Sequence, residues 1–584
     1  MSVPRPLAGR ASLSSRVAGR LAEFSWVDLV VALGVLVMLY VVVRVGRGTT
    51  VSFSPSQVIT VDTDPARLPY YAVRSLLRMF AALGLSLVFT MVWAYTAAHS
   101  RRLERVLIPA LDILQSVPVL GFLTVAVTGF VALFPGSLLG LECAAIFAIF
   151  TSQAWNMTFA FYHSLITTPR EMDELSRSMR FTRWMRFWRV ELPSGAIPLV
   201  WNAMMSFGGG WFFLVASEAI SVLNHRYALP GVGSYAGAAI AAGDLAKVGW
   251  AIITMAIMVV GVNFLFWRPL VAWVEKFKVE QSEAVHVQRS LVLDFLRHSQ
   301  WPRTLGRALT PARETVNRFG RVFGLDDRPL RIDPRRRRAG DIVFAVAACV
   351  LIGWGVLNLL AYLELRTGLG VFAEPLLLGL ATLARVVVLV TVATLVWVPI
   401  GVKIGFSPRL TRIAQPLVQI LASFPANFLF PLATWFFLRT GLSLNLGGVL
   451  LMALGAQWYI LFNSIAGAMA IPSDLREAMD NLGIRGWLRW KRLIIPGIFP
   501  SCVTGGITAS GGAWNASIVS EIVTFGGTTL TATGLGAYIA HATGTGDYPK
   551  IIAGIAVMSL YVVGLNRLVW RRLYRLAESR YSLG

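Results

Sequence analysis

The sequence predicts an all-α membrane protein of about twelve transmembrane helices, arranged as two parallel six-helix repeats. Three observations predict this. Of the 584 residues, 56% are hydrophobic and only 14% charged, whereas a soluble domain carries about a quarter charged residues. Apolar runs long enough for the roughly 20-residue crossing of a bilayer recur along the whole chain. Finally, the second half repeats the first in a nearly constant register.

The candidate spans fall near 27–46, 72–98, 106–133, 141–164, 195–223 and 247–270, then near 341–362, 375–402, 413–437, 447–470, 496–525 and 550–569. The first follows a basic tail and has no small-residue cleavage site, so it reads as an uncleaved span rather than a signal peptide. Basic segments alternate strictly with nearly uncharged ones such as "PGSLLGLE" (135–142) and "TGLSLNLGG" (440–448). By the positive-inside rule the basic set is cytoplasmic, and so are both termini. The net charge of +23 is explained the same way and does not point to a nucleic-acid partner. Segment 273–340 reads as a basic cytoplasmic linker whose Arg335–Arg338 cluster suits anionic lipid headgroups. It separates a first unit, 1–272, from a second, 341–584.

The register supports the duplication. Arg78 and Arg385, Pro109 and Pro416, and Pro118 and Pro425 stand 307 apart. From Trp155 and Trp458 onward the offset is 303, through Glu174 and Glu477, Pro193 and Pro496, Trp211 and Trp514, Ser217 and Ser520, and Glu218 and Glu521. Parallel repeats of this kind commonly enclose a path at their interface.

After the fourth span of each half comes a charged stretch, "EAMDNLGIRGWLRWKRLIIP" (477–496) in the second copy. "PSDLREAMDNL" (472–482) reads as a short helix with proline and acids in its first turn. Gly483 permits a bend, and a second helix runs to Pro496. In the first copy Phe181, Trp184, Met185 and Trp188 form one helical row and Arg180, Arg183, Arg186 and Arg189 another, the pattern of a helix lying in the membrane interface. A surface connector could look like this once. Repeated in both halves, the elbow reads as a docking surface for a two-fold cytoplasmic partner.

Glu477-Ala478-Met479, Gly483 and Leu493-Ile494-Ile495-Pro496 resemble the EAA signature of ATP-binding-cassette importer permeases of the methionine-importer-type fold. "LLRMFAALGLSLVF" (76–89), "QSVPVLGFL" (115–123), "WFFLVASE" (211–218) and "WNASIVSE" (514–521) look like the nitrate/sulfonate/taurine branch. The resemblance implies a permease dimer fused into one chain of a bacterial inner membrane. Its partners would be two ATPase subunits, which hold the ATP and Mg, and an extracytoplasmic substrate-binding protein. The solute would be small and anionic, such as nitrate, a sulfonate, taurine or bicarbonate. Coupling to the ATPases would fall to Glu174, Arg180, Pro193, Glu477, Ala478, Gly483 and Pro496. The first copy departs from the signature, with Ser176 in place of alanine and Arg180 in place of glycine. The fifth spans would line the path, with Trp211, Ser217, Trp514, Asn515 and Ser520 as lining or gating residues. Helix packing is an equal reading for the tryptophans.

No phosphate-binding G-x-x-x-x-G-K-[ST] loop occurs, and six histidines and three cysteines are scattered without metal or triad spacing. The chain is therefore read as no enzyme and as binding no cofactor of its own. A self-sufficient twelve-span carrier is the alternative, but such a carrier needs no repeated elbow. Four charges inside spans stand out, Arg78, Glu218, Arg385 and Glu521. They pair as Arg78–Glu218 and Arg385–Glu521, or crossed. They either pin the second span to the fifth, or one arginine faces the path to attract an anion, or they snorkel to the outer headgroups. The topology makes a direct prediction: cysteines placed at Glu280, Gly405 and Arg485 should label only from the cytoplasmic side, and those at Ser137 and Leu444 only from outside. Outside labelling at Arg485 alone would remove the docking reading of the elbow.

Overall fold

The computed structural model describes residues 33, 34, 36, 40, 43, 44, 61–116, 119–168, 170–179, 181–222, 225–277 and 334–580. The expected span 27–46 and linker residues 278–333 lie outside that set for the most part, as does Arg180. Contacts divide the chain into two compact units. One comprises residues 1–48, 168–200 and 264–329, the other 49–167, 201–263 and 330–584.

The fold is helical, as its composition requires, because a backbone inside lipid must satisfy its own hydrogen bonds. In the first half the helices are α1 (Leu68–His99), α2 (Arg101–Ser116), α3 (Val119–Leu133), α4 (Leu139–Ile166), α5 (Arg170–Ser178) and α6 (Leu192–Glu218). A hairpin follows, β1 (Ala219–Val222) and β2 (His225–Ala228), then α7 (Val232–Ala241) and α8 (Leu245–Val262). The second half has α9 (Pro334–Thr367), α10 (Ala373–Gly405), α11 (Pro408–Ser423), α12 (Phe430–Thr440), α13 (Leu444–Ala470), α14 (Ser473–Asn481) and α15 (Ile495–Ser520). The hairpin β3 (Ile522–Phe525) and β4 (Thr528–Thr531), α16 (Leu535–Thr545), α17 (Tyr548–Leu565) and α18 (Arg571–Arg580) complete it. Among the described residues eight helices are long and apolar enough to cross a membrane, nine if the bent pair α11–α12 is one span. Of the expected twelve, span 27–46 lies mostly outside the described residues, and 106–133 and 141–164 are not among the eight or nine.

The third span of the second half is not straight. The pair bends by 78° at Phe424-Pro425, because a residue before proline is driven out of the helical region and Phe424 is extended, φ −71° and ψ 127°. The fifth spans, expected to run to about 223 and 525, end instead at Glu218 and Ser520 and turn into hairpins. The β-branched run Ile522-Val523-Thr524 favours strand, and Gly526-Gly527 supply positive φ of 56° and 79°, as a two-residue hairpin turn demands. Phe525 faces Thr528 across it.

The interface helices do not stop at the prolines. Gly486–Ser520 is one continuous 35-residue helix, and a π turn absorbs Pro496 over Trp490–Ile494. Proline has no N–H and crowds the preceding turn, and a widened turn accommodates it. The Ile495 N–H accordingly donates to the Trp490 carbonyl, as the Leu192 N–H does to Phe187 before Pro193. Caps also repeat. Asp244 accepts from Ala246 and Lys247 N–H, and its match Asp547 accepts from Lys550 N–H, each satisfying donors that a helix start leaves free.

In the larger unit the second, fourth and fifth spans of the second half, α10, α13 and α15, pack together. Glycines permit the closest approaches: a Cβ on Gly401 would lie 2.6 Å from Ser464 Cβ, and one on Gly467 2.8 Å from Ser501 Cβ. The halves meet along the fifth spans. Gln419 donates to the Met204 sulfur at 2.8 Å and Asn427 to the Phe212 carbonyl at 3.3 Å. On the hairpin side β3 packs on α7 and β1 on α16, and the Gly526 N–H donates to the Ile240 carbonyl at 3.1 Å.

Candidate functional site

Each fifth span ends in a glutamate with no exposure, Glu218 and Glu521. A bare buried carboxylate would be very costly, and each is met by the same set of donors. Arg78 Nη1 donates to Glu218 Oε1 at 2.6 Å, and Arg385 Nη1 to Glu521 Oε1 at 2.7 Å. The pairs are uncrossed. Ser75 donates to Glu218 at 2.6 Å while accepting from the Val232 N–H. Thr382 donates to Glu521 at 2.8 Å while accepting from the Leu535 N–H. The second carboxylate oxygens accept from the Gly233 N–H at 2.7 Å and the Gly536 N–H at 2.8 Å. These amides open α7 and α16, where a helix dipole favours negative charge.

Both copies need their glycines for closeness, not for backbone freedom. Gly231 and Gly534 are extended, φ −175° in each, yet a Cβ on either would collide with the carboxylate. The remaining guanidinium nitrogens close the knots by donating to the carbonyls of Pro230 at 3.0 Å and Thr533 at 2.9 Å. The second span, fifth span and post-hairpin helix of each half are thus tied at one point.

The knots differ in one respect that charge balance explains. In the first, Arg78 Nε also donates to Glu142 at 2.5 Å, and Arg74 donates to Glu142 as well. Glu142, placed by sequence in an outer loop, is 2% exposed in the first turn of α4. In the second, the matching positions are Ala381 and Asn445, and Asn445 accepts from Arg385 through its side chain at 2.8 Å and its carbonyl at 3.2 Å. The added arginine and the added glutamate come together or not at all, so both knots are neutral. The arginines point into these acceptors, which supports the pinning role over attraction of a passing anion.

Of the expected path residues, Trp211, Ser217, Trp514 and Ser520 are fully or almost fully buried. Trp211 packs edge-on against Phe207 at 5.5 Å, and Trp514 stacks on Tyr561 at 6.2 Å. Ser217 donates to the Leu214 carbonyl. The helix-packing reading of the tryptophans therefore fits their surroundings. Asn515 is half-buried and donates to the Gly511 carbonyl at 3.2 Å.

The elbows are exposed. Glu174 is exposed on α5, and Glu477 and Ala478 on α14, with Leu482 72% and Trp487 73% exposed beside them. Pro193 and Pro496 are half-buried at the starts of α6 and α15. Gly483, at φ 67°, ends α14 in a Schellman turn: its N–H donates to Asp480 at 3.1 Å, and the Ile484 N–H donates to Met479 at 2.9 Å, the usual glycine-stopped helix end. In the first copy the Phe181 N–H donates to Ser176 at 3.0 Å, the matching bond. Arg489 ties the second elbow together through Asp480 at 2.7 Å. The first copy has Arg177 in place of Asp480, and Arg186 pairs with Glu191 at 2.9 Å.

Residues 75–271 and 397–582 match the family described as "Binding-protein-dependent transport system inner membrane component". The chain is 27% identical over 201 residues, 34% of its own length, to a Methanocaldococcus jannaschii protein named as a candidate ABC transporter permease. It is 25% identical over 189 residues to the nitrate import permease of Leptolyngbya laminosa and 25% over 182 residues to the taurine transport system permease of Escherichia coli, 32% and 31% of this chain. The matches span 70%, 64% and 62% of those relatives.

Charge balance in the first knot is testable. Arg74→Ala or Glu142→Asn alone leaves an uncompensated buried charge and should cost on the order of 3 kcal/mol. The double variant, which copies the second half, should recover most of that loss in thermal unfolding of the detergent-solubilised protein. A double variant as unstable as the sum of the singles would reject the compensation.

Proposed function

The chain belongs to the family of binding-protein-dependent transport system inner membrane components, and from that premise we propose that it forms the translocation path of an importer for a small anionic solute. It is a multi-pass membrane protein carrying two fused permease units, which our reading places at 1–272 and 341–584, joined by the linker 273–340. In this reading it lies in a bacterial inner membrane with both termini cytoplasmic. Two separate ATPase subunits bind ATP and Mg and seat on the two elbows, while an extracytoplasmic binding protein delivers the solute.

The observation that carries the coupling role is the pair of exposed elbows closed by the same backbone bond, Phe181 to Ser176 and Ile484 to Met479. An exposed, hydrogen-bonded bend with Leu475, Ala478 and Leu482 on its surface suits insertion into a partner's cleft. The interface helix that follows it, from Gly486, is continuous through the π turn with the fifth span, so a push on the elbow is passed directly to a long helix. The anionic solute class is supported by the nitrate and taurine relatives.

Gly483 decides the test. No atom lies within 4 Å of a Cβ built there, so a side chain would fit, but its left-handed φ costs a non-glycine residue about 1 kcal/mol and would shift the surface. Gly483→Arg should therefore impair transport more than Arg180→Gly, read as substrate-stimulated ATP hydrolysis in reconstituted membranes with complex assembly checked in parallel. Normal coupled hydrolysis in both Gly483→Arg and Glu477→Ala would sink the coupling role.

A further inference from the structure

The fifth spans carry a matched pair of glycines, Gly209 and Gly512, at the 303-residue offset of the repeat. Both face one side chain. A Cβ built on Gly209 would lie 3.4 Å from the Tyr459 hydroxyl oxygen, and one built on Gly512 3.6 Å from the Tyr459 ring carbon Cε2. Tyr459, half-buried near the middle of α13, thus occupies the place where the two fifth spans face each other across the symmetry of the repeat. Ordinary contact on both sides is possible because neither helix carries a side chain there.

The counterpart of Tyr459 in α4 is Asn156, which is exposed and accepts from Gln115 at 3.2 Å. The repeat would direct a tyrosine at 156 toward the same two glycines, and the place holds one ring. The two halves are asymmetric at this position. The asymmetry continues a turn further on, where Phe212 in one fifth span matches Asn515 in the other.

We propose that Tyr459 is the single gate of the path, a ring seated between Gly209 and Gly512, and that Asn156 is the relieved position that leaves it room. Asn463, one turn along the same helix, donates to the Tyr459 carbonyl at 2.8 Å, and Asn515 stands one turn beyond Gly512 on the fifth span. A phenol and two amides are neutral donors. They can replace water around an oxyanion without the grip of a fixed cation, and weak binding is what lets a solute leave. The assignment rests on the permease reading given above.

The test needs neither ATPase nor binding protein: the full chain is placed in liposomes loaded with nitrate, and release is followed with a nitrate-selective electrode. Wild type, Tyr459→Phe and Asn156→Ala should hold the nitrate, and Tyr459→Ala should lose it. The exchange variant Asn156→Tyr/Tyr459→Asn restores one ring to the axis and should hold it too. Retention by a folded Tyr459→Ala, or equal leakage from Asn156→Ala, would overturn the gate. If Tyr459→Ala does not fold, the exchange variant decides, since leakage from it would overturn the axial placement. Glu477→Ala should hold nitrate in this assay, so a failure of ATP coupling is read separately from a failure of the gate.

Discussion

Burying a carboxylate at the end of a membrane helix is tolerable only if every lone pair finds a donor, and that constraint organises each half of this protein. Glu218 and Glu521 are satisfied by an arginine and a hydroxyl from the second span and by an amide from the helix after the hairpin. Removing any of these would leave a desolvated charge. The knot therefore sets where the second span stands against the fifth, and it requires the chain to leave the fifth span, turn through a hairpin and come back with a helix N-terminus. The glycines of segments 231–233 and 534–536 follow from the same demand, because a side chain on Gly231 or Gly534 would occupy the space of the carboxylate, and one on Gly233 or Gly536 would press on the backbone of the fifth span.

With the C-terminal ends of the fifth spans tied in this way, the remaining length of those helices is free to serve other needs. At its other end, each runs on through a π turn into the interface helix that follows the elbow. At mid-length, their matched glycines leave room for one tyrosine. The same helix thus connects a fixed buried anchor, a narrow central contact and an exposed surface. That linear arrangement is what a path opened by force from one side requires.

The duplication is not a copy. Charge balance lets Arg74 and Glu142 appear as a pair in one half and be absent as a pair in the other. The two elbows close with the same backbone bond but use different ion pairs, Arg489 with Asp480 and Arg186 with Glu191. Fusion of the halves removes the need for each residue to suit two symmetric environments, and position 459 uses that freedom.

The sequence by itself determined the fold class, the repeat and its register, because hydrophobic length and basic-residue placement are local quantities that the bilayer reads directly. It also narrowed the pairing of four isolated charges to Arg78–Glu218 with Arg385–Glu521 or the crossed partners, which the structure decided as uncrossed, and it showed the bend at Gly483, since glycine suits that φ. Only the tertiary structure decided that Glu142 and Arg74 join the first knot, although Arg74 stands one turn before Arg78 and could have signalled it. The hairpins were legible in Gly526-Gly527 after a β-branched run, but an apolar strand of four residues looks like the end of a helix. The burial of Trp211 and Trp514 and the axial place of Tyr459 depend on which face each helix turns to its neighbours. That choice is made by close packing among residues hundreds of positions apart, and no local pattern encodes it.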